Sequence, residues 1–220
     1  MSMDKNWEKI HSTQAWGQYP CEAVIRFVAR NFYKSENRSN VKILDFGCGG
    51  GAHTWYLARE GFSTYAFDGS ESAINNTRQK LKKDNLYADL SVCEGAEIEY
   101  ASNFFDAVID NVCICQNTSQ EISLMYAQVY RILKRGGVFF SSVFSTDTTG
   151  YGTGDKLEEH TYTNVTKGNL VDLGVCHFFD SNEALKILTE TGFTDIVIEP
   201  STYTDNGNVV GHLIMKMKKS

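Results

Sequence analysis

From residue 41 onward, runs of apolar residues alternate with stretches whose apolar positions recur every three or four residues. Short continuous apolar runs bounded by turn residues are the pattern of strands buried on both faces, and the 3.6-residue recurrence is that of helices with one inward face. The pattern predicts strands at 41–46, 62–67, 87–93, 104–112 and 138–144. Helices are predicted at 54–60, 70–82 and 120–133, the last with Ile122, Met125, Val129 and Ile132 as its inner stripe. A further helix at 181–191 precedes strands at 193–199 and 209–216. Asp205-Asn206-Gly207-Asn208 between those two strands is a hairpin signal, which makes the end of the sheet antiparallel. Ahead of the first strand, 20–32 reads as one helix, with Pro20 in its first turn. The alternating order predicts a doubly wound α/β sheet with helices on both faces. Residues 1–40 are expected to be a helical cap and 41–220 one domain. The stretch 145–179 lacks either period and is rich in Gly, Thr, Asn and Asp, so it reads as a long functional loop or lid.

Composition adds limits. The 220 residues suit a single domain, and a net charge of −6 argues against a dedicated nucleic-acid binder. No apolar run approaches the ~18 residues of a membrane span, and no targeting segment is evident, so a cytoplasmic protein is expected. Six cysteines show no framework spacing and read as buried thiols. Cys113 and Cys115 form a C-x-C without a second pair, so no metal site is expected.

The most informative stretch is 41–51, in which Asp45 ends a strand and Gly47, Gly49 and Gly51 follow before a helix. Glycines there allow a sharp turn and close backbone approach to a ligand. About 20 residues further on, Asp68 ends the second strand, where a carboxylate accepts hydrogen bonds from ribose hydroxyls. Together these features point to a nucleoside cofactor. Gly47, Gly49 and Ala52 also satisfy a relaxed dinucleotide fingerprint, so a nicotinamide cofactor stays open. Asp45 speaks against it, because a carboxylate repels pyrophosphate and favours a ligand carrying ammonium and sulfonium charges.

Residues 44–51 resemble the first motif of the class I S-adenosylmethionine-dependent methyltransferases, and Trp16-Gly17-Gln18-Tyr19-Pro20 and the Gly-rich loop ending in His177-Phe178-Phe179 resemble segments of their bacterial small-molecule subgroup. The likeness continues in order through Ala66-Phe67-Asp68-Gly69-Ser70, Cys93-Glu94-Gly95-Ala96, Phe105-Asp106-Ala107-Val108 and 130–137. It implies a mostly parallel seven-stranded sheet with an antiparallel last strand and S-adenosylmethionine as cofactor. Carried over, Asp45, Gly47, Gly49 and Gly51 shape the methionine side of the pocket, and Asp68 holds the ribose beside Gly69 and Ser70. Glu94, Gly95 and Ala96 bracket the adenine, with Glu94 where the family more often has aspartate. Asn111, Cys115 and Gln116 lie near the sulfonium, and His53 near the cofactor carboxylate.

Methyl transfer from a sulfonium is a direct displacement that alignment and exclusion of water promote. No Asn-Pro-Pro-Tyr follows the fourth strand, where Asp110-Asn111-Val112-Cys113 stands, and no Pro-Cys nucleophile occurs. A small-molecule acceptor is therefore expected. Trp16 and Tyr19 resemble a cap over the cofactor in that subgroup, and equally suit surface packing. Tyr162 and Phe178 in the long loop are candidate substrate contacts. His177 and His160 are the candidate general bases. For both, a structural role is the competing reading, with Asp180 capping the next helix. Two other functions stay open: an NAD-dependent oxidoreductase and a non-catalytic S-adenosylmethionine-binding protein.

Overall fold

The computed structural model describes residues 5–14 and 17–220. Its main sheet is built from β1 (Lys42–Phe46), β2 (Ser63–Asp68), β3 (Asp89–Val92), β4 (Phe105–Asn111), β5 (Leu133–Phe144), β9 (Phe193–Asp205) and β10 (Asn208–Lys219). The spatial order is β3-β2-β1-β4-β5-β10-β9. Strands β3 to β5 pair in parallel, whereas β10 runs antiparallel to both of its neighbours. The predicted seven-stranded, mostly parallel sheet is therefore present. Its terminal hairpin turns at Asn206 and Gly207, whose φ angles of 48° and 81° are the two positive values of a type I′ turn.

Helices lie on both faces because successive strand residues point to opposite sides. Ile43, Ala107, Ile109 and Phe140 pack on one face against α2 (Glu22–Phe32) and α3 (Ala52–Arg59). Leu44, Val108 and Phe139 face the other way, into the larger core with α5 (Ser119–Ile132) and α6 (Ser181–Thr191). Helix α4 (Glu71–Lys83) starts at Ser70, whose Oγ accepts a hydrogen bond from Ala73 N at 3.0 Å. Thr118 and Glu121 begin α5, with the Glu121 carboxylate accepting from Thr118 N and Oγ1. Asp180 begins α6, where Oδ1 accepts from Asn182 N and Glu183 N, and Gly192 ends it at φ 104°. These are the local signals on which helix ends depend.

Four features differ from the sequence expectation. Strand β9 runs on to Asp205, past the expected end at 199. A short helix, α1 (Lys5–Thr13), precedes α2 and packs against α4. Strand β5 starts at Leu133, which already pairs with Phe105 before an irregularity at 134–137. The 145–179 stretch is not uniformly irregular. It contains an antiparallel sheet of β6 (Asp155–Glu158), β7 (Thr161–Thr163) and β8 (Cys176–His177), whose short strands carry too few residues to show a period. No described helix is long and apolar enough to cross a membrane.

Candidate active site

The turn after β1 is shaped by what stands next to it. Gly47 has a φ of 68°, and a Cβ there would lie 2.1 Å from Cys113 Sγ, so only glycine fits. Gly51 has a φ of 75° and would collide with the Thr77 side chain on α4. The chain consequently stays close to the ends of β2 and β4, and Gly49 N donates to Asp68 Oδ2 at 2.8 Å. Ser70 N donates to Asp68 Oδ1 at 2.9 Å. Burial pushes the Asp68 carboxyl above its ordinary range, while the two amides and the neighbouring His11 pull it back.

A cavity of about 130 Å³ opens beside this turn. Gly47, Gly49, Asp68, Gly69, Glu94, Gly95, Asn111 and Gln116 line it. Eight sequence candidates thus converge on one space from the ends of β1, β2, β3 and β4. Gly95 belongs there partly for packing, since a Cβ on it would lie 2.7 Å from the Phe46 ring.

At the end of β4, Val112 adopts a φ of 58°, unusual for a β-branched residue. Asp110 stabilises this bend. Its buried carboxylate accepts from the amides of Cys113 and Ile114 and, at 2.6 Å, from Ser141 Oγ on β5. Burial raises its pKa to about 6 despite those hydrogen bonds. The bend directs Val112, Cys113, Gln116 and Asn117 to the cavity.

Other candidates sit elsewhere. Asp45 is buried and accepts a 2.6 Å hydrogen bond from Thr54 Oγ1 on α3. It is not among the residues lining the cavity, and burial pushes its carboxyl above the ordinary value. Ser70 serves as the N-cap of α4, and Gly51 as that of α3. Ala96 is half-buried off the cavity wall, and Cys115 is fully buried in the larger core. His53 accepts from Cys21 N at 3.3 Å. Tyr19 is 83% exposed on the wall of a second, more open depression of about 500 Å³, and Trp16 lies outside the described residues. Tyr162 and Phe178 pack against each other in the core.

The two histidines put forward as bases are also away from the cavity wall. His177 is buried, with Nδ1 at 2.7 Å from Thr161 Oγ1 and Nε2 at 3.1 Å from Glu183 Oε1, so both ring nitrogens are engaged. His160 Nδ1 is 2.7 Å from the Tyr151 hydroxyl. Their positions suit structural roles better than proton removal beside this cavity.

Sequence reasoning missed Trp7 and His11 of α1, which complete the cavity wall. The helix is held there by Glu8, whose carboxylate accepts hydrogen bonds from Ser70 Oγ, Ser72 Oγ and Ser72 N. Trp7, Ile10 and His11 have the i, i+3, i+4 spacing of an inward face, a faint signal in nine residues. Burial lowers the His11 pKa, against the pull of Asp68 and Glu8. Two cavity-lining residues keep a buried polar atom without a hydrogen-bond partner among the described residues: His11 Nδ1 and Gln116 Oε1. Buried polar atoms are normally satisfied, so this pair marks a place for a polar ligand.

A family model described as a methyltransferase domain matches residues 43–137. The chain is 29% identical over 98 residues to an uncharacterized methyltransferase of Synechocystis sp.; the match covers 44% of each chain, so it spans under half of that curated relative's length. A SAM-dependent methyltransferase of Methanosarcina mazei superposes with a TM-score of 0.72 at 19% identity, covering 91% of this chain and 98% of that one. The Burkholderia thailandensis 1,6-didemethyltoxoflavin-N1-methyltransferase, solved with 1,6-didemethyltoxoflavin and S-adenosylhomocysteine bound, superposes at 0.69 with 20% identity, covering 95% and 80%. Such identities carry the fold, and the family model carries the domain. Residues 43–137 therefore match a methyltransferase domain, and the seven-stranded sheet with the antiparallel β10 has the same fold as these S-adenosylmethionine-dependent methyltransferase structures.

Proposed function

We propose that this protein transfers the methyl group of S-adenosylmethionine to a small-molecule acceptor by direct displacement. The observation that carries the reading is Asp68, a carboxylate at the end of β2 that lines the cavity and is oriented by the Gly49 and Ser70 amides. Each of its oxygens retains a further lone pair for a ribose hydroxyl. In this assignment Gly47 and Gly49 approach the methionine portion, Glu94 and Gly95 the adenine, and Asn111 and Gln116 the sulfonium side. The unpartnered His11 Nδ1 and Gln116 Oε1 fit a polar ligand of this kind. When bound, the cofactor supplies an electrophilic methyl group. Helix α1 excludes water from it, and the 112–117 bend orients the acceptor side; both promote a displacement that needs alignment more than acid–base chemistry.

Residues 1–40 act as a cap on the domain of 41–220 in this reading, with 145–179 beside the acceptor. The acidic net charge of −6 favours a small acceptor over nucleic acid. A reducing, cytoplasmic setting belongs to the same reading, supported by six free thiols.

Isothermal titration with S-adenosylmethionine, S-adenosylhomocysteine and NAD in parallel tests the proposal. Micromolar binding of both sulfur nucleosides, with none of NAD, is the expected result. Binding of NAD alone would overturn it in favour of an oxidoreductase. Cofactor binding without methyl transfer across a broad acceptor panel would favour a non-catalytic binding protein.

A further inference from the structure

Away from the cofactor cavity, His160, Asp180 and Glu183 each present one potential ligand atom, and these atoms lie within 4.8 Å of one another. His160 immediately precedes β7, whereas Asp180 and Glu183 start α6. Each residue has one polar atom already committed and another left over. His160 Nδ1 is taken by the Tyr151 hydroxyl, and Nε2 faces Asp180 Oδ2 at 3.8 Å, beyond hydrogen-bond range. Asp180 Oδ1 is occupied by the first amides of α6, which leaves Oδ2. Glu183 Oε1 meets His177 Nε2, and Oε2 is buried with no hydrogen-bond partner among the described residues.

A buried carboxylate oxygen without a partner is costly, and a cation removes that cost. The surrounding charge agrees. Glu158 lies next in this network, accepting from Ser119 and from Thr161, which also meets His177 Nδ1. Asp180, Glu183 and Glu158 thus bring three carboxylates to the two imidazoles. Engaging the second atom of each ligand residue through a fixed outer partner is also how proteins orient metal ligands.

We propose that His160 Nε2, Asp180 Oδ2 and Glu183 Oε2 bind one divalent transition-metal ion of the zinc or manganese class. One imidazole and two carboxylates suit those ions, and water completes the coordination. The ion adds a second tie, beside the His177–Glu183 hydrogen bond, between the β6–β8 sheet and the start of α6.

The test uses the full chain stripped with a chelator, then titrated with Zn²⁺ by calorimetry and with Co²⁺ by visible absorption. One saturable equivalent is expected, with weak Co²⁺ ligand-field bands and no intense thiolate charge-transfer absorption. Zn²⁺ should also raise the melting temperature. His160→Asn and Glu183→Gln should each weaken binding at least about tenfold, on the scale by which metal-site partners act. Both are mild changes: Asn tolerates the φ of 58° at position 160, and Gln keeps an acceptor for His177. Circular dichroism verifies that each variant is folded, and either one suffices for the test. Absence of saturable binding, a thiolate signature, or wild-type affinity in a folded variant would overturn the site.

Discussion

Gly49 N donates a 2.8 Å hydrogen bond to Asp68 Oδ2, so the turn after β1 and the end of β2 are one unit. Asp68 consequently has two tasks, to shape the loop and to present lone pairs to the cavity. Asp68→Ala should weaken S-adenosylmethionine binding by on the order of 1.5–3 kcal/mol, the scale of lost hydrogen bonds to a charged group. Asp68→Asn should lose less. Calorimetry checks both, and native affinity in the alanine variant would contradict the ribose assignment.

The glycine at position 47 is required by two separate effects. A Cβ would meet Cys113 Sγ at 2.1 Å and Cys113 Cβ at 2.6 Å, and the φ of 68° strains any L residue. Gly47→Ala should therefore cost on the order of 2 kcal/mol or more. Adding Cys113→Gly should recover the steric part and leave the backbone part, a coupling that urea denaturation of the four proteins resolves.

Asp110 makes stability depend on pH. Its folded-state pKa of about 6 stands above the usual carboxylate value of 3.8, so the folded chain holds this proton longer than the unfolded chain does. Its contribution favours folding fully below about pH 4 and is lost as pH rises through about 6. The span corresponds to roughly 3 kcal/mol at ~1.4 kcal/mol per pKa unit. Asp110→Asn keeps an acceptor for the Cys113 and Ile114 amides and offers a donor to Ser141 Oγ. Relative to wild type, the variant should gain stability between pH 4.5 and 7. Parallel pH profiles in urea denaturation would refute the assignment.

Helix α1 is fastened by Glu8 to Ser70 and Ser72, at the start of α4. Glu8→Ala should release the helix, speed cofactor dissociation and expose the N-terminal segment to protease. Since α1 contributes little to the main core, the urea midpoint should move little. Unchanged dissociation by stopped-flow measurement would remove α1 from the cofactor site.

His177 is buried with both ring nitrogens engaged, the geometry of a structural residue. Deleting its ring leaves a cavity, removes one of the hydrogen bonds of Thr161 and unpairs Glu183 Oε1, so His177→Ala should destabilise the chain by about 2–4 kcal/mol. Affinity for S-adenosylmethionine should stay within twofold. Wild-type stability combined with lost turnover would return His177 to the role of base.

The legible part of this protein is local. The apolar runs of β1, β2, β4 and β5 read as strands because both sides of each are covered. The hairpin at 206–207 was readable because its turn needs two positive φ angles, which Asn-Gly supplies. Asp68, Gly47 and Gly49 were readable as neighbours on one cavity because a strand-turn-helix unit brings such positions together at short, regular spacings. The capping role of Asp180, held open beside the reading of His177 as a base, is likewise a local hydrogen-bond pattern.

Tertiary structure decided the rest. Helix α1 has nine residues, too few to be stable alone, and its place over the cavity depends on Glu8 finding Ser70 and Ser72. The β6–β8 sheet depends on Thr161 pairing with His177 across a long loop, which no sequence period announces. His160 meets Asp180 and Glu183 by the same closure, so the sequence argued for no metal site while the fold assembles a donor set. Which side a residue faces at a strand end was equally undecided: Gln116 turns to the cavity and Cys115 to the core because Asp110 grips the bend at Cys113 and Ile114. Local backbone preferences act over a few residues and can be read along the chain, whereas these contacts exist only after distant segments have been brought together by the packed sheet.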